Sequence, residues 1–212
     1  MSDDHGHDHG PHAPVMDQGR AKALARRARA IEALLAEKGY VTHAEIRREI
    51  DDRASRSPAD GARLVARAWM APAFKSRLLA DAKAAAAELG LDLSGLAILK
   101  VVENTDRVHH MVVCTLCSCY PRMLLGLPPD WYKSLDYRSR AVSDPRGVLR
   151  EFGLTLPERI EVRVLDSTAD MRYLVIPRRP DGTHGMTEAE LASLVTRDSM
   201  IGVAEARQPA HA

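Results

Sequence analysis

The sequence is poor in aromatic residues and in cysteine. Phe, Trp and Tyr make up 4% of its 212 residues, so the core must consist mainly of Leu, Val, Ala and Ile. This scarcity argues against a large aromatic recognition surface. The three cysteines are an odd number and stand within six positions of each other, which argues against the disulfide framework of a secreted scaffold.

The sequence also has no long apolar run and no excess of one charge. No stretch is long enough to suggest a membrane span, and no basic-then-apolar segment begins the chain. The formal net charge is +1, with 45% hydrophobic and 28% charged residues, a composition typical of soluble proteins. We therefore expect a cytoplasmic protein without a membrane or nucleic-acid partner.

The three cysteines form a Cys-x-x-Cys-x-Cys motif, Cys114, Cys117 and Cys119. Structural zinc and iron–sulfur sites usually need four donors, and this motif supplies three sulfurs. If the backbone amides of Ser118 and Cys119 lose their protons, their nitrogens can form a four-donor plane with the sulfurs of Cys117 and Cys119, and Cys114 can bind from one axial side. One position then stays open, as a catalytic metal requires.

The chain divides into four predicted segments. Residues 1–14 form a polar, disordered tail with His5, His7, His9 and His12, which is either a metal-collecting arm or a solvated tail; we favour the solvated tail. Residues 15–90 form a helical N-terminal arm that begins with an amphipathic helix from Asp17 to about residue 38. Residues 91–205 form an α/β metal-binding catalytic domain, and residues 206–212 are a tail.

Hydrophobic periodicity and capping signals predict the secondary structure. Further helices are expected at 40–54, 60–69 and 74–89, from 128 toward 140, at 144–153 and at 187–196, and strands at 96–102 and 111–113. A β-hairpin-like pair of strands is predicted at 159–165 and 171–176. Gly90 is expected to follow a helix end, and Thr187 with Glu190 forms a capping box. The fold class is α+β, a single globular domain with layered helices and sheet around a metal-binding loop, preceded by the helical arm.

Residues 113–122, Val-Cys-Thr-Leu-Cys-Ser-Cys-Tyr-Pro-Arg, resemble the signature of cobalt-type nitrile hydratase alpha subunits. The flanking sequence extends the resemblance over about half of the chain, with weaker similarity in the helical N-terminal half. The matching segments are 101–105, 108–110, 125–133, 145–146, 151–153, 171–175 and 195–203.

The resemblance implies one low-spin metal per chain, held by Cys114, Cys117, Cys119 and the backbone nitrogens of Ser118 and Cys119. It also implies that Cys117 is a sulfinic acid and Cys119 a sulfenic acid. Thr115 and Tyr120 indicate the cobalt subgroup, so we expect Co(III) rather than Fe(III).

The implied reaction is hydration of a nitrile to an amide. Cys119 would supply the attacking or activating sulfenate oxygen, with hydroxide at the metal as the competing nucleophile, and Ser118 would assist. Tyr120 and Arg122 are expected in the substrate pocket. The residues expected to support the metal loop from behind are Thr115, Glu103, Asp166 and Arg172, with Asp166 and Arg172 as an ion pair or a clamp.

The family resemblance also implies partners and leaves two alternatives. A beta subunit would complete an αβ heterodimer or an α2β2 heterotetramer, and a cobalt-delivery activator is a further partner. Arg122 stands where tryptophan is usual, and the pattern is similar to the gamma subunit of thiocyanate hydrolase, which would make thiocyanate the substrate. The other alternative is a zinc-binding interaction module in which His109 or His110 joins the three cysteines.

Overall fold

The computed structural model describes residues 18–96 and 98–209. The predicted His-rich tail 1–14, the helix start at Asp17 and residues 210–212 of the predicted C-terminal tail lie outside the described residues. The helices are α1 (Gln18–Glu37), α2 (His43–Ser55), α3 (Ala59–Met70), α4 (Pro72–Ala80), α5 (Ala82–Glu88), α6 (Arg122–Leu125), α7 (Asp130–Lys133), α8 (Leu135–Ser143), α9 (Pro145–Glu151), α10 (Glu188–Leu194) and α11 (Arg197–Ile201). The strands are β1 (Ile98–Glu103), β2 (Val108–Val113), β3 (Glu161–Asp166) and β4 (Met171–Ile176).

Two small parallel sheets form the centre of the domain. β1 pairs with β4, and β2 pairs with β3. Helices α3, α4, α5 and α11 pack on the β1–β4 sheet, whereas α8 and α9 pack on the β2–β3 sheet, and β2 also contacts β4. Apolar side chains such as Val101, Met111 and Leu174 fill the interior. This layered arrangement confirms the predicted α+β fold class.

The N-terminal helices α1 and α2 lie outside this core. Leu24, Ile31 and Leu34 on α1 are each at least half exposed, and α2 has no buried residue. By contrast, α3, α4 and α5 contribute buried side chains to the same core as β1 and β2. The division into an arm and a domain stays a prediction, and these contacts favour an arm that ends with α2.

Several predictions of local structure are confirmed, and three predictions are wrong, two on helix continuity and one on strand pairing. The capping box of Thr187 and Glu190 is present, and Gly90 follows α5 with a positive φ of 74°. The predicted helix 74–89 is instead interrupted at Asp81, which has extended backbone and caps α5 by accepting from the Ala84 N–H. Likewise, Ser134 separates α7 from α8 because its side chain caps the second helix.

The predicted hairpin of β3 and β4 is also wrong. The N–H of Ser167 donates to the carbonyl of Val113, which extends the β2–β3 ladder by one bond. The carbonyl of Asp170 accepts from the N–H of Ile98, where the β1–β4 ladder begins. The four-residue connection therefore carries the chain from one sheet to the other, and each strand finds a parallel partner far away in sequence.

Gly202, just after α11, is held tightly against β2. Its φ is +86°, and a Cβ atom there would lie 1.9 Å from the backbone oxygen of His110. We predict that Gly202→Ala lowers the free energy of unfolding by more than about 3 kcal/mol, because backbone strain adds to a backbone collision. Gly90→Ala is the matched control, since Gly90 has a φ of +74° but open space around it; only the strain, about 1–2 kcal/mol, is expected there.

Denaturant unfolding of the two variants measures the difference between them. An equal loss of stability in Gly202→Ala and Gly90→Ala would contradict the collision that the structure shows.

Candidate metal centre

The cysteine loop begins where β2 ends and runs to the start of α6. The sulfur of Cys117 lies 3.2 Å from that of Cys114 and 3.0 Å from that of Cys119. All three sulfurs lie within 4.8 Å of one another, and among the described residues they form a group that could hold a metal ion. Cys114 and Cys119 are buried, whereas Cys117 is exposed.

The sulfur separations distinguish two kinds of metal geometry. In a tetrahedral zinc site with Zn–S bonds of about 2.3 Å, neighbouring sulfurs lie about 3.8 Å apart. At the same bond length, two sulfurs at right angles on an octahedral metal lie about 3.3 Å apart. The observed 3.0 and 3.2 Å fit the right-angle arrangement better. The donor set therefore fits a six-coordinate ion.

The backbone of the loop also faces the sulfurs. The Cys117 N–H donates to the Cys114 sulfur over 3.3 Å. Interactions with the thiols of Cys119 and Cys114 lower the pKa of Cys117, and the backbone N–H groups of Cys119 and Ser118 act in the same direction. The backbone N–H groups of Ser118 and Cys119 are therefore close enough to the Cys117 sulfur to affect its pKa. Burial, by contrast, raises the pKa of the Cys119 thiol to about 12.

Side chains from three other elements hold the loop in place. Asp166, at the end of β3, accepts from the Thr115 N–H at 3.0 Å and from the Thr115 hydroxyl at 2.6 Å. Arg138 on α8 donates to the carbonyl oxygens of Cys114, at 3.1 Å, and Thr115, at 2.7 Å. The hydroxyl of Tyr132 donates to the carbonyl oxygen of Cys119 over 3.0 Å. These bonds fix the backbone that carries the three cysteines.

The few aromatic residues of the chain are concentrated under this loop. Tyr120, Trp131, Tyr132, Tyr137 and Phe152 form a chain of ring contacts with centroid separations between 4.7 and 6.2 Å. Burial raises the pKa of Tyr120 and of Tyr132, so both phenols are neutral. The composition indicated that aromatic residues are scarce, but it did not indicate that they support the metal loop.

A cavity of about 400 Å³ opens in front of the loop. Its walls come from the cysteine loop, from α6 and from the arm helix α2. The residues that line it are Glu49, Arg53, Arg56, Gly95, Leu96, Cys117, Ser118, Cys119, Tyr120, Arg122, Met123, Gly126, Leu127 and Arg172. Small-molecule sites commonly occupy about 300–1,000 Å³, so the cavity is large enough for an organic substrate.

The structure brings most of the predicted site residues together. Cys117, Ser118, Cys119, Tyr120, Arg122 and Arg172 line the cavity, while Thr115 and Asp166 meet behind the loop. Arg172 donates to the carbonyl oxygens of Thr168, Ala169 and Met171. Glu103 lies elsewhere and forms an ion pair with Lys75 at 2.7 Å. Sequence reasoning missed Arg138 and Tyr132, because neither carries a local signal that links it to the loop.

The two adjacent histidines bind Asn104 rather than the cysteines. The Asn104 side-chain nitrogen lies 3.1 Å from His109 Nδ1, and His109 Nε2 lies 2.8 Å from the Gly202 oxygen. The Asn104 oxygen accepts from the His110 N–H at 2.7 Å. In the described part of the chain, no histidine therefore joins the sulfur cluster, and the Cys₃His arrangement is not present there.

These histidines predict a pH dependence of stability. Burial lowers the pKa of both His109 and His110 from the ordinary value of 6.5. The unfolded chain then takes up protons that the folded chain does not, so stability falls as the pH drops below about 6.5, by up to about 1.4 kcal/mol per pH unit for each histidine.

Urea unfolding of the metal-free protein at pH 7.5 and 5.5 measures this pH dependence. His184→Gln, at an exposed site, should leave the loss unchanged. Equal stability at both pH values would show that the two histidines are not buried in the neutral form.

No helix in the described part of the chain combines the length and apolar character that a membrane span requires.

Comparisons with known proteins show which family this chain resembles. The family model for the nitrile hydratase alpha chain matches residues 22–204. A high-molecular weight cobalt-containing nitrile hydratase subunit alpha from Rhodococcus rhodochrous is 51% identical, over 86% of this chain and 91% of its own length. Thiocyanate hydrolase subunit gamma from Thiobacillus thioparus is 43% identical, over 82% of this chain and 76% of its own.

The fold comparison gives the same family. A double mutant of an Fe-type nitrile hydratase from Comamonas testosteroni Ni1 matches with a TM-score of 0.84 and 42% identity. The match covers 92% of this chain and 94% of that one. The cysteine loop, the layered fold and the matched length agree, and the chain belongs to the nitrile hydratase alpha-chain family.

Proposed function

We propose that this chain is the metal-carrying subunit of a nitrile hydratase, with one Co(III) per chain. The ligands would be the sulfurs of Cys114, Cys117 and Cys119 and the backbone nitrogens of Ser118 and Cys119. The observation that carries the proposal is the sulfur cluster, whose separations of 3.0 and 3.2 Å suit right-angle coordination. The cobalt-containing relative from Rhodococcus rhodochrous supports cobalt.

The two cysteines proposed to be oxidised lie in different environments, which supports a different oxidation state for each. Cys117 is exposed, so its sulfur is accessible to oxidant and could proceed to the sulfinic acid. Cys119 is buried, so oxidant would reach its sulfur less readily and its oxidation would stop at the sulfenic acid. Both residues line the cavity.

The bound ion would supply a Lewis acid that polarises the carbon–nitrogen triple bond. The sulfenate oxygen of Cys119 would take a proton from a water that attacks the nitrile carbon, or it would itself add to that carbon. In the second case a water would then attack the same carbon and break its bond to the sulfenate oxygen, which restores Cys119. Ser118 would orient that water through its hydroxyl, and Tyr120 would form an uncharged wall of the pocket. Proton transfer to the former nitrile nitrogen then yields the amide.

Other parts of the active enzyme would come from partners. We propose a beta subunit, in an αβ or α2β2 assembly, that balances the negative charge of the oxidised cysteines. The uncovered apolar side chains of α1 support a partner contact by the arm. A cobalt-delivery activator would load the centre. We place the enzyme in the cytoplasm, because the cysteines serve a single loop rather than disulfides.

Thiocyanate hydrolysis is the second candidate function, and Arg122 favours it. This guanidinium is exposed, lines the cavity and forms no ion pair with another described residue, and the gamma subunit of thiocyanate hydrolase is a close relative. An arginine so placed can bind an anion.

A product assay on the cobalt-grown complex decides between these functions. Propionitrile and thiocyanate would be supplied in parallel, and amide and carbonyl sulfide would be quantified. We expect amide as the main product; carbonyl sulfide as the main product would assign the chain to thiocyanate hydrolysis.

A further inference from the structure

We propose that the cavity selects nitriles that carry a carboxylate, and that Arg122 on α6 and Arg53 on α2 bind this carboxylate. The inference rests on the proposed hydration of nitriles and specifies the substrate class. It also gives the arm helix α2 a role in substrate selection.

Arginines outnumber carboxylates in the wall of the cavity. Four arginines line it, Arg53, Arg56, Arg122 and Arg172, against one carboxylate, Glu49, and the two cysteines proposed to be oxidised, Cys117 and Cys119. A cleft whose walls carry an excess of positive side chains attracts anionic ligands. A neutral aliphatic nitrile would gain nothing from these guanidinium groups.

Two of the four arginines each make more than one contact with the protein. Arg172 donates to three backbone carbonyls of its own connection. Arg56 donates to Asp52 at 2.7 Å and contacts the sulfur of Met123. Their positive charge contributes to the field, but most of their donors are committed. They are therefore less able than the other two arginines to bind a ligand.

The remaining two arginines can reach a ligand. Arg122 is exposed and has no ion pair among the described residues. Arg53 pairs with Glu49 one helical turn away at 2.7 Å, and both side chains are 60% exposed. An exposed pair of this kind is weak, so a substrate carboxylate can replace Glu49 as the partner. Planar guanidinium groups match a carboxylate with two parallel hydrogen bonds.

The arm helix brings Arg53 into the wall of the cavity that the cysteine loop also lines. Gly126, after α6, is packed against the carbonyl oxygen of Arg56, so the end of α2 is fixed next to the cysteine loop. The cavity of about 400 Å³ extends from Cys119 to Arg53. A linear ion of three atoms would fill a small part of this space, whereas a nitrile with a carboxylate two or three carbons away could contact both walls.

Two substrates of matched shape test the proposal. The cobalt-loaded complex with its beta subunit would be given 3-cyanopropanoate and the uncharged 3-cyanopropanamide, and newly formed amide would be quantified. We expect kcat/KM to favour the carboxylate by about 10- to 100-fold, as one or two charge-assisted hydrogen bonds give. Arg122→Gln and Arg53→Gln should each reduce this ratio about 10-fold, mainly through KM, and added salt should reduce it further.

The control is Arg150→Gln, an exposed arginine on α9 that does not line the cavity, and it should keep the wild-type ratio. A wild-type preference for the amide-bearing nitrile, or an unchanged ratio in Arg122→Gln, would overturn the inference.

If the chain does not hydrate nitriles at all, propionitrile yields no amide either. This result differs from a failure of carboxylate selection, in which propionitrile is still hydrated. If propionitrile yields no amide, the Kd of 3-cyanopropanoate, measured by calorimetry, decides the inference: a 10-fold weaker Kd in Arg122→Gln supports it, and an equal Kd overturns it.

Discussion

Cys119→Ser is expected to abolish cobalt retention and to reduce amide formation by more than 100-fold. Removal of an outer hydrogen-bond partner of a metal ligand already costs about 10- to 100-fold, and this change removes a sulfur ligand together with the oxygen proposed to act on the nitrile. The Cys119 sulfur lies 3.0 Å from that of Cys117, so its loss leaves an incomplete cluster. Cobalt per chain by elemental analysis and amide yield are the measurements.

Leu116→Ala is the matched control within the same loop. Leu116 is 87% exposed and does not line the cavity, so its replacement should leave cobalt content and turnover within about threefold. Full cobalt occupancy and full activity in Cys119→Ser would contradict the proposed ligand set.

Arg138→Met is expected to lower cobalt occupancy and activity by about 10- to 100-fold. The guanidinium donates to the carbonyl oxygens of both Cys114 and Thr115, and no other hydrogen bond to these two oxygens is present among the described residues. Without it, two carbonyls lose a charge-assisted partner and the loop loses its fixed conformation. Arg138→Lys should restore only part of the effect, because a single ammonium cannot reproduce the planar fork of donors.

A structural role alone would affect melting temperature but not the metal spectrum. The second readout is therefore the visible sulfur-to-metal absorption of cobalt-loaded protein, which should shift or broaden in Arg138→Lys. An unchanged spectrum with full cobalt content in Arg138→Met would show that the clamp is not needed for the centre.

Much of the centre could be predicted because its signal is local. Cys114, Cys117 and Cys119 are neighbours in sequence, and the donors needed by a metal follow from their spacing. The start of a helix could also be predicted where a side chain caps it. Asp144 accepts from the Gly147 N–H at the start of α9, and Thr187 caps α10.

The missed features depend on contacts between distant residues. The partners of β3 and β4 are separated from them by long stretches of sequence, and periodicity does not distinguish a parallel strand from one arm of a hairpin. Arg138 has the sequence context of an exposed helical arginine, and only the fold places it against the cysteine loop. Local composition could not show that α2 reaches the same cavity.

The oxidation state of the three cysteines can be measured by mass spectrometry of the loop. Trypsin should release residues 108–122 as one peptide from active, cobalt-grown protein, and tandem mass spectrometry then locates each modification. We expect a peptide about 48 Da heavier than the unmodified form, with two oxygens on Cys117, one on Cys119 and a thiol on Cys114. Three unmodified thiols in fully active protein would contradict this expectation.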